Sequence, residues 1–202
     1  MLFTILLIVL ILFLTTFIVV FIRNRKMDYK TFRSLCEKKV IKISKNNDLL
    51  FLENINISNY EGDELIVNHV IFGKKYIYLI SDFLLKGFIE GDEKNNSWLY
   101  YDTRKRRYLY LDNLNAIADK NIKDFAGILQ ISAEPIVNIC LIPNECDFKI
   151  SNANWNNKTI TRYSSLARTI KLFENKEIGS LNPDQILDEF KIVKNKNEER
   201  NR

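Results

Sequence analysis

The feature that most restricts this chain is an uninterrupted apolar run near its N-terminus, from Leu2 to Ile22. The run contains no charged residue, Gly or Pro, and its polar residues are threonines, whose hydroxyls can bond to helix carbonyls. As a helix, these residues would rise about 31 Å, close to the hydrocarbon thickness of a bilayer. The sequence therefore predicts one N-terminal transmembrane helix.

A cleaved signal peptide is the competing interpretation of the apolar run. It requires a basic start, a shorter apolar stretch and a small-residue cleavage site, and the sequence has none of these. Arg23, Arg25 and Lys26 follow the run directly, which places the N-terminus outside and residues 23–202 in the cytoplasm. We therefore expect a single-pass protein of the cell membrane, with the lipid bilayer as a partner. The three cysteines lack metal-ligand spacing and are expected to be reduced.

The rest of the chain alternates between helix-like and strand-like patterns. Apolar residues at three- and four-residue steps predict helices, at residues 28–44, 113–130, 160–175 and 183–195. Short apolar runs between polar turns predict strands, at residues 49–57, 65–72, 76–81, 84–90, 98–101, 108–111 and 135–142. This order indicates a mixed α/β domain with a central sheet flanked by helices. We expect an anchor over residues 1–26, the α/β domain over 27–180, and a C-terminal helix with a charged tail over 181–202.

A run of motifs within residues 33–145 carries a family resemblance. An apolar strand with a histidine is followed by a glycine turn, a second strand, further glycines and a tryptophan, at His69, Gly73, Gly87, Gly91 and Trp98. A helix near Asn115 and the strand over 135–142 follow in the same order. This pattern resembles the nuclease-related domain (NERD) family. The resemblance implies a restriction-endonuclease-like fold, with a mixed sheet between helices.

The resemblance also implies where catalytic residues would stand. Nucleases of that fold hold magnesium between two carboxylates, with a lysine nearby, and the metal polarises the phosphate. In this chain the aligned positions are Asn68, Ser81 and Phe83, which offer an amide, a hydroxyl and a benzene ring. Glu37 on the first helix is the one acidic position that matches. We therefore expect a pseudoenzyme without cofactor or metal, acting as a binding or scaffolding module.

Two alternatives remain open at this point. A rearranged nuclease site would bring Glu37, Glu64 and Asp82 within about 5 Å of one another around Mg²⁺, with Lys86 in place of the lysine. Against it, Asp82 follows Ser81 on a strand, so the two side chains point to opposite faces unless a bulge intervenes. The other alternative is an unrelated membrane-associated α/β protein.

A basic cluster, Arg104-Lys105-Arg106-Arg107, lies among tyrosines at positions 100, 101, 108 and 110. Cations neutralise phosphates and aromatic rings stack on bases, so the cluster is a weak candidate for nucleic-acid binding. A plain hairpin turn and contact with anionic lipid headgroups are the alternatives. The single histidine, His69, stands in an apolar strand without a motif-placed nucleophile, which favours a structural role. No P-loop, Rossmann, zinc or nucleophile-elbow pattern is present.

Overall fold

The computed structural model describes residues 10–17, 28–58, 64–176 and 181–200. The helices after residue 28 are α1 (Tyr29–Asn46), α2 (Leu114–Leu129), α3 (Leu166–Glu174) and α4 (Pro183–Arg200). The strands are β1 (Leu50–Ser58), β2 (Glu64–Phe72), β3 (Ile77–Asp82), β4 (Gly87–Asp92), β5 (Ser97–Asp102), β6 (Arg107–Asp112), β7 (Ile136–Ile142), β8 (Asp147–Ser151) and β9 (Lys158–Arg162). A 3₁₀ turn over Tyr163–Ser165 leads into α3.

The predicted membrane helix over residues 2–22 needs correction. Residues 10–17 of that run are helical, and the others lie outside the described residues. Within the described ranges, no helix combines the length and the apolar character needed to cross a bilayer. This finding contradicts the predicted transmembrane helix and, with it, the predicted single-pass placement in the cell membrane.

The predicted mixed α/β architecture is present, but the single central sheet is wrong, since the strands form two sheets. The first sheet has the order β1-β2-β3-β7-β9, with antiparallel pairs at the start and parallel pairs from β3 onward. The second has the order β6-β5-β4-β8. The segment predicted as a helix from residue 160 begins as β9, because it pairs in parallel with β7 before α3 starts.

The first sheet is covered by helices on both faces. On one face α1 and α3 bury side chains such as Cys36 and Phe173 against the strands. On the other face α2 and α4 do the same with Phe125 and Val193. The second sheet packs its inner face, around Trp98, against the ends of the first sheet and the start of α2. Apolar burial on all three sides is the main source of stability in such a layered domain.

Asparagines interrupt the side-chain alternation of β1 and β2 at facing positions. On β2, Val67 and Val70 pack into the same core although they are three residues apart, so the strand changes face between them. The register places Asn68 of this interval opposite Asn54 of β1, which has a φ of 53°. Asparagine adopts this left-handed conformation at low cost. As a result, the alternation of side chains between the two faces of β2 is reversed after Asn68.

Candidate functional site

The three positions that the family resemblance marks as catalytic have structural tasks. The Asn68 carboxamide Oδ1 accepts a hydrogen bond from the backbone N–H of Asp82, at 2.9 Å. The Phe83 backbone N–H donates to Leu141, and its ring packs in the core of the second sheet. Ser81 precedes Asp82 on β3 and faces away from it, because adjacent side chains on a strand alternate. The Asn68 carboxamide and the Phe83 ring are thus occupied by a backbone hydrogen bond and by core packing.

His69 and Asp82 instead form a buried pair on the α1 side of the first sheet. Their Nε2 and Oδ2 atoms are 3.1 Å apart, and the side chains are 2% and 0% exposed. Burial, followed by the charge of Asp82, raises the pKa of the Cys36 thiol on α1. Within the described residues, Nδ1 of His69 and Oδ1 of Asp82 have no hydrogen-bond partner. The expected structural role of His69 agrees with this enclosed position.

Two further carboxylates approach this pair from neighbouring elements. Glu53 of β1 stands opposite His69 in the register. Its pKa is raised, first by burial and then by the charge of Glu37 on α1, while His69 acts in the opposite direction. However, within the described part of the chain no three His, Cys, Asp or Glu side chains are arranged to hold a metal ion. The four side chains of His69, Asp82, Glu53 and Glu37 thus make up a polar cluster on the α1 side of the first sheet.

Two more residues, Glu64 and Lys86, belong to the rearranged nuclease site that the sequence suggests. Glu64 begins β2, five residues or about 17 Å along the strand from His69. Its carboxylate pairs with the guanidinium of Arg200 at the end of α4. Lys86 is buried in the β3–β4 connection, where its backbone N–H donates to the Tyr100 hydroxyl at 2.7 Å. Glu64 is thus separated from Asp82 and Glu37.

The basic cluster forms the turn between β5 and β6. The buried carboxylate of Asp102 accepts from the backbone N–H groups of Arg104 and Lys105, at 2.9 and 3.3 Å, and from the Arg104 side chain. Burial alone would raise the pKa of Asp102, but these hydrogen bonds and the guanidinium charge outweigh it, and the pKa is lowered. Arg106 takes a positive φ of 52° at the tip. Asp102 therefore holds the turn in a shape that presents its basic side chains outward.

Beyond Arg104, the turn carries three exposed cations, Lys105, Arg106 and Arg107. None of the three makes an ion pair within the described ranges. The turn thus concentrates positive charge at one end of the second sheet.

Aromatic side chains lie beside this turn on the outer face of the second sheet. We call this surface the tyrosine face and define it by Phe88, Leu99, Tyr101, Tyr108 and Tyr110. Tyr108 is 65% and Tyr110 85% exposed, which is high for rings of this size. The Tyr101 and Tyr108 rings contact each other, with centroids 5.0 Å apart.

The strand registers arrange this face in rows. Tyr108 lies opposite Tyr101, and Tyr101 opposite Phe88, so three rings follow one another across β6, β5 and β4. The next row contains Tyr110, Leu99 and Glu90. Since neighbouring strands are about 4.8 Å apart, the aromatic row spans about 10 Å, and the basic turn lies beside it, beyond the Asp102–Arg107 pair.

The sequence predicts the basic turn but not the composition of the tyrosine face. Tyr100, one of the four tyrosines named with the cluster, is 5% exposed and points to the inner face. Phe88 and Glu53 were not anticipated. Strict alternation along β5 indicates that Tyr101 and Tyr100 point in opposite directions, but the pairing that brings Phe88 beside Tyr101 is a tertiary contact without a local signal.

Comparisons with known proteins identify no relative. No family model matches the chain, and no curated protein and no solved structure is detectably similar to it.

Proposed function

We propose that this chain is a non-catalytic binding module that holds a single-stranded nucleic acid on the tyrosine face. The observation that carries the proposal is the row of Tyr108, Tyr101 and Phe88 beside the basic turn. Stacking of a base on an aromatic ring contributes about 1–3 kcal/mol and tolerates any base, because every base has a π face. The ligand class is therefore a single strand with splayed bases.

The charge distribution supports the same ligand. Lys105, Arg106 and Arg107 are exposed in and next to the turn beside the aromatic row, where they could contact the phosphates of a strand lying across the rings. Neutralising phosphates releases bound counterions, which is the main source of sequence-independent affinity. A duplex hides its bases from the rings, so we expect it to bind more weakly than a single strand of equal length.

The proposed lack of catalysis is supported by the surroundings of the positions that the family resemblance marks as catalytic. The Asn68 carboxamide is occupied by the backbone of β3, and Phe83 packs in the core. The acidic side chains near Asn68 and Phe83 form a buried pair and a polar cluster on the α1 side of the first sheet. These observations favour binding without cleavage.

The test is binding of the full chain to a fluorescent oligothymidylate, followed by anisotropy at low salt. The variant Tyr108→Ala/Tyr110→Ala removes the two most exposed rings of the face, and we expect affinity to fall about tenfold or more. Tyr29→Ala, which removes an exposed ring from α1, is the matched control and should bind like the wild type. Equal affinity of all three proteins would refute the tyrosine face as the binding surface.

Two further measurements test the proposed ligand and the proposed lack of catalysis. Binding of a duplex as tight as that of the single strand would show that charge acts without stacking and would contradict the proposed ligand. Incubation of the same oligonucleotide with Mg²⁺ or Mn²⁺ tests the second half of the proposal. Cleavage that disappears in Asp82→Ala or Glu37→Ala would overturn the non-catalytic assignment and favour the rearranged nuclease.

A further inference from the structure

The aromatic row of the tyrosine face has opposite charges on its two sides. Along β5, the basic turn follows shortly after Tyr101, and Leu99 of the next row precedes it. Opposite Leu99 this next row contains Glu90, which lies two residues after Phe88 on β4. Two residues of a strand rise about 7 Å, and their side chains point to the same face. The order across the face is therefore cations, aromatic rings, carboxylate.

The Glu90 carboxylate is available to a ligand. Its side chain is exposed. Lys149 of β8 stands opposite it in the register, but Glu90 forms no ion pair within the described residues. Two other carboxylates of the outer face are engaged, since Asp147 pairs with Arg162 and Asp92 accepts a hydrogen bond from the Asn152 side chain. Glu90 is thus an exposed acceptor beside the rings.

This order of charges orients a strand that binds along the rings. Its phosphates are attracted by the exposed cations of the basic turn and repelled by Glu90. With the phosphates toward the turn, the free edges of the bases point toward the row that contains Glu90. The distance of about 7 Å between the rows leaves room for a glutamate side chain and one hydrogen bond. A base stacked on Phe88 therefore has its Watson–Crick edge beside the Glu90 carboxylate.

We infer that Glu90 selects guanine among the bases of the bound strand, an inference that rests on the proposed nucleic-acid binding. A carboxylate accepts two parallel hydrogen bonds best where two donors stand side by side. Guanine offers such a pair on its Watson–Crick edge, N1–H and the N2 amino group. On adenine and cytosine, the single amino donor adjoins a ring nitrogen acceptor, which repels the carboxylate. Thymine and uracil present one N–H between two carbonyl oxygens.

Anisotropy with three fluorescent oligonucleotides of equal length tests the inference on the full chain. The strands alternate thymine with guanine, with adenine or with hypoxanthine. Adenine matches guanine in ring size and therefore in stacking, whereas hypoxanthine is guanine without the N2 amino group. We expect the wild type to bind the guanine strand about tenfold more tightly than the adenine strand, as one bidentate contact predicts. The hypoxanthine strand should lose most of this preference.

The variant Glu90→Gln removes the proposed contact from the protein side. A carboxamide has one acceptor oxygen and one donor nitrogen, so it cannot accept from both guanine donors. We expect the ratio of guanine to adenine affinity to fall to about twofold or less. Asp112→Asn is the matched control, because it neutralises an exposed carboxylate of the same sheet that lies four residues, or about 14 Å, from Tyr108. The ratio is the measure because either variant also removes a charge that repels phosphates.

The outcomes separate this inference from the proposed function. A guanine preference that is lost in Glu90→Gln and kept in Asp112→Asn supports the inference. Equal affinity for the guanine and adenine strands, a preference that survives in Glu90→Gln, or hypoxanthine binding as tight as guanine binding would overturn it, while binding of oligothymidylate would still support the proposed function. A wild type that binds none of these strands, oligothymidylate included, would refute both.

Discussion

The Nε2 atom of His69 lies 3.1 Å from Oδ2 of Asp82, and both side chains are withdrawn from solvent beneath α1. Removing one partner of a buried ion or hydrogen-bonded pair leaves the other without compensation for its lost hydration, at a cost of about 3–5 kcal/mol. We therefore expect Asp82→Asn to lower the free energy of unfolding by that order, as measured in urea. Asp188→Asn, which breaks an exposed ion pair with Lys191, is the control and should cost less than about 1 kcal/mol. Similar losses in the two variants would show that the buried pair is not a stabilising contact.

The sequence patterns predicted the strands that carry His69 and Asp82, but not which face of the sheet these two side chains occupy. The predicted hairpin over 65–72 and 76–81 corresponds closely to β2 and β3, because long apolar runs separated by a glycine turn are a strong local signal. Alternation alone was expected to remove Asp82 from the other polar groups. The change of face at Asn54 and Asn68 determines which side chains of β2 lie toward α1. Hydrophobic alternation does not reveal a left-handed residue within a strand.

Two strands, β8 of the second sheet and β9 of the first, were harder to predict for a different reason. β8 and β9 are only five residues long, and they form strands because β4 and β7 offer them partners. Such pairing depends on tertiary context more than on local propensity. The tyrosine face was therefore only partly visible in the sequence, as a basic run among tyrosines.

The affinity for a single strand should fall as the salt concentration rises, with a slope set by the number of turn cations that contact phosphates. Three exposed cations, Lys105, Arg106 and Arg107, contacting phosphates predict a slope of log affinity against log salt near about −2, since each contact contributes about −0.7. We expect Lys105→Ala to reduce the slope by about one such contact. The measurement is anisotropy with oligothymidylate over a range of salt concentrations. Lys45→Ala, which removes an exposed lysine from α1, should leave the slope unchanged, and a slope near zero in the wild type would contradict phosphate contact.

The turn should lose stability in acid through Asp102. Its pKa in the folded state lies below its ordinary value of 3.8, because backbone and side-chain donors in the turn favour the carboxylate despite its burial. The sign is therefore that of a depressed acid: the stabilisation is complete above pH 3.8 and is lost as pH falls below that value. We expect Asp102→Asn to remove this part of the pH dependence in urea unfolding. Thr103→Ala, which deletes a neutral hydrogen bond to Lys86, is the control and should shift the curve without flattening it. An unchanged profile in Asp102→Asn would contradict the assignment.

The three thiols should be inert in the folded protein. Burial raises the pKa of Cys140 and of Cys146 to about 12 and raises that of Cys36 as well. The thiolate is the reactive form, so alkylation by iodoacetamide near pH 8 should be slow in the native state and should reach all three in urea. Mass spectrometry of quenched samples measures this directly. A native thiol that reacts as fast as in the unfolded chain would show that its site opens readily.

The two glycines Gly87 and Gly127 should respond in opposite directions to the same substitution. Gly87 begins β4 with a φ of 143°, and a Cβ there would collide with the backbone carbonyl of Tyr101. A left-handed conformation and a backbone clash cannot both be relieved without moving the strand that carries the tyrosine face, so we expect Gly87→Ala to cost about 2 kcal/mol or more. Gly127 lies on α2 with open space around its position, where alanine lowers the conformational entropy of the unfolded chain and should add about 0.5–1 kcal/mol. Urea unfolding of both variants measures the difference, and anisotropy with oligothymidylate should weaken only for Gly87→Ala. Equal stability of the two variants would contradict the close approach of β4 to Tyr101 on which the aromatic row depends.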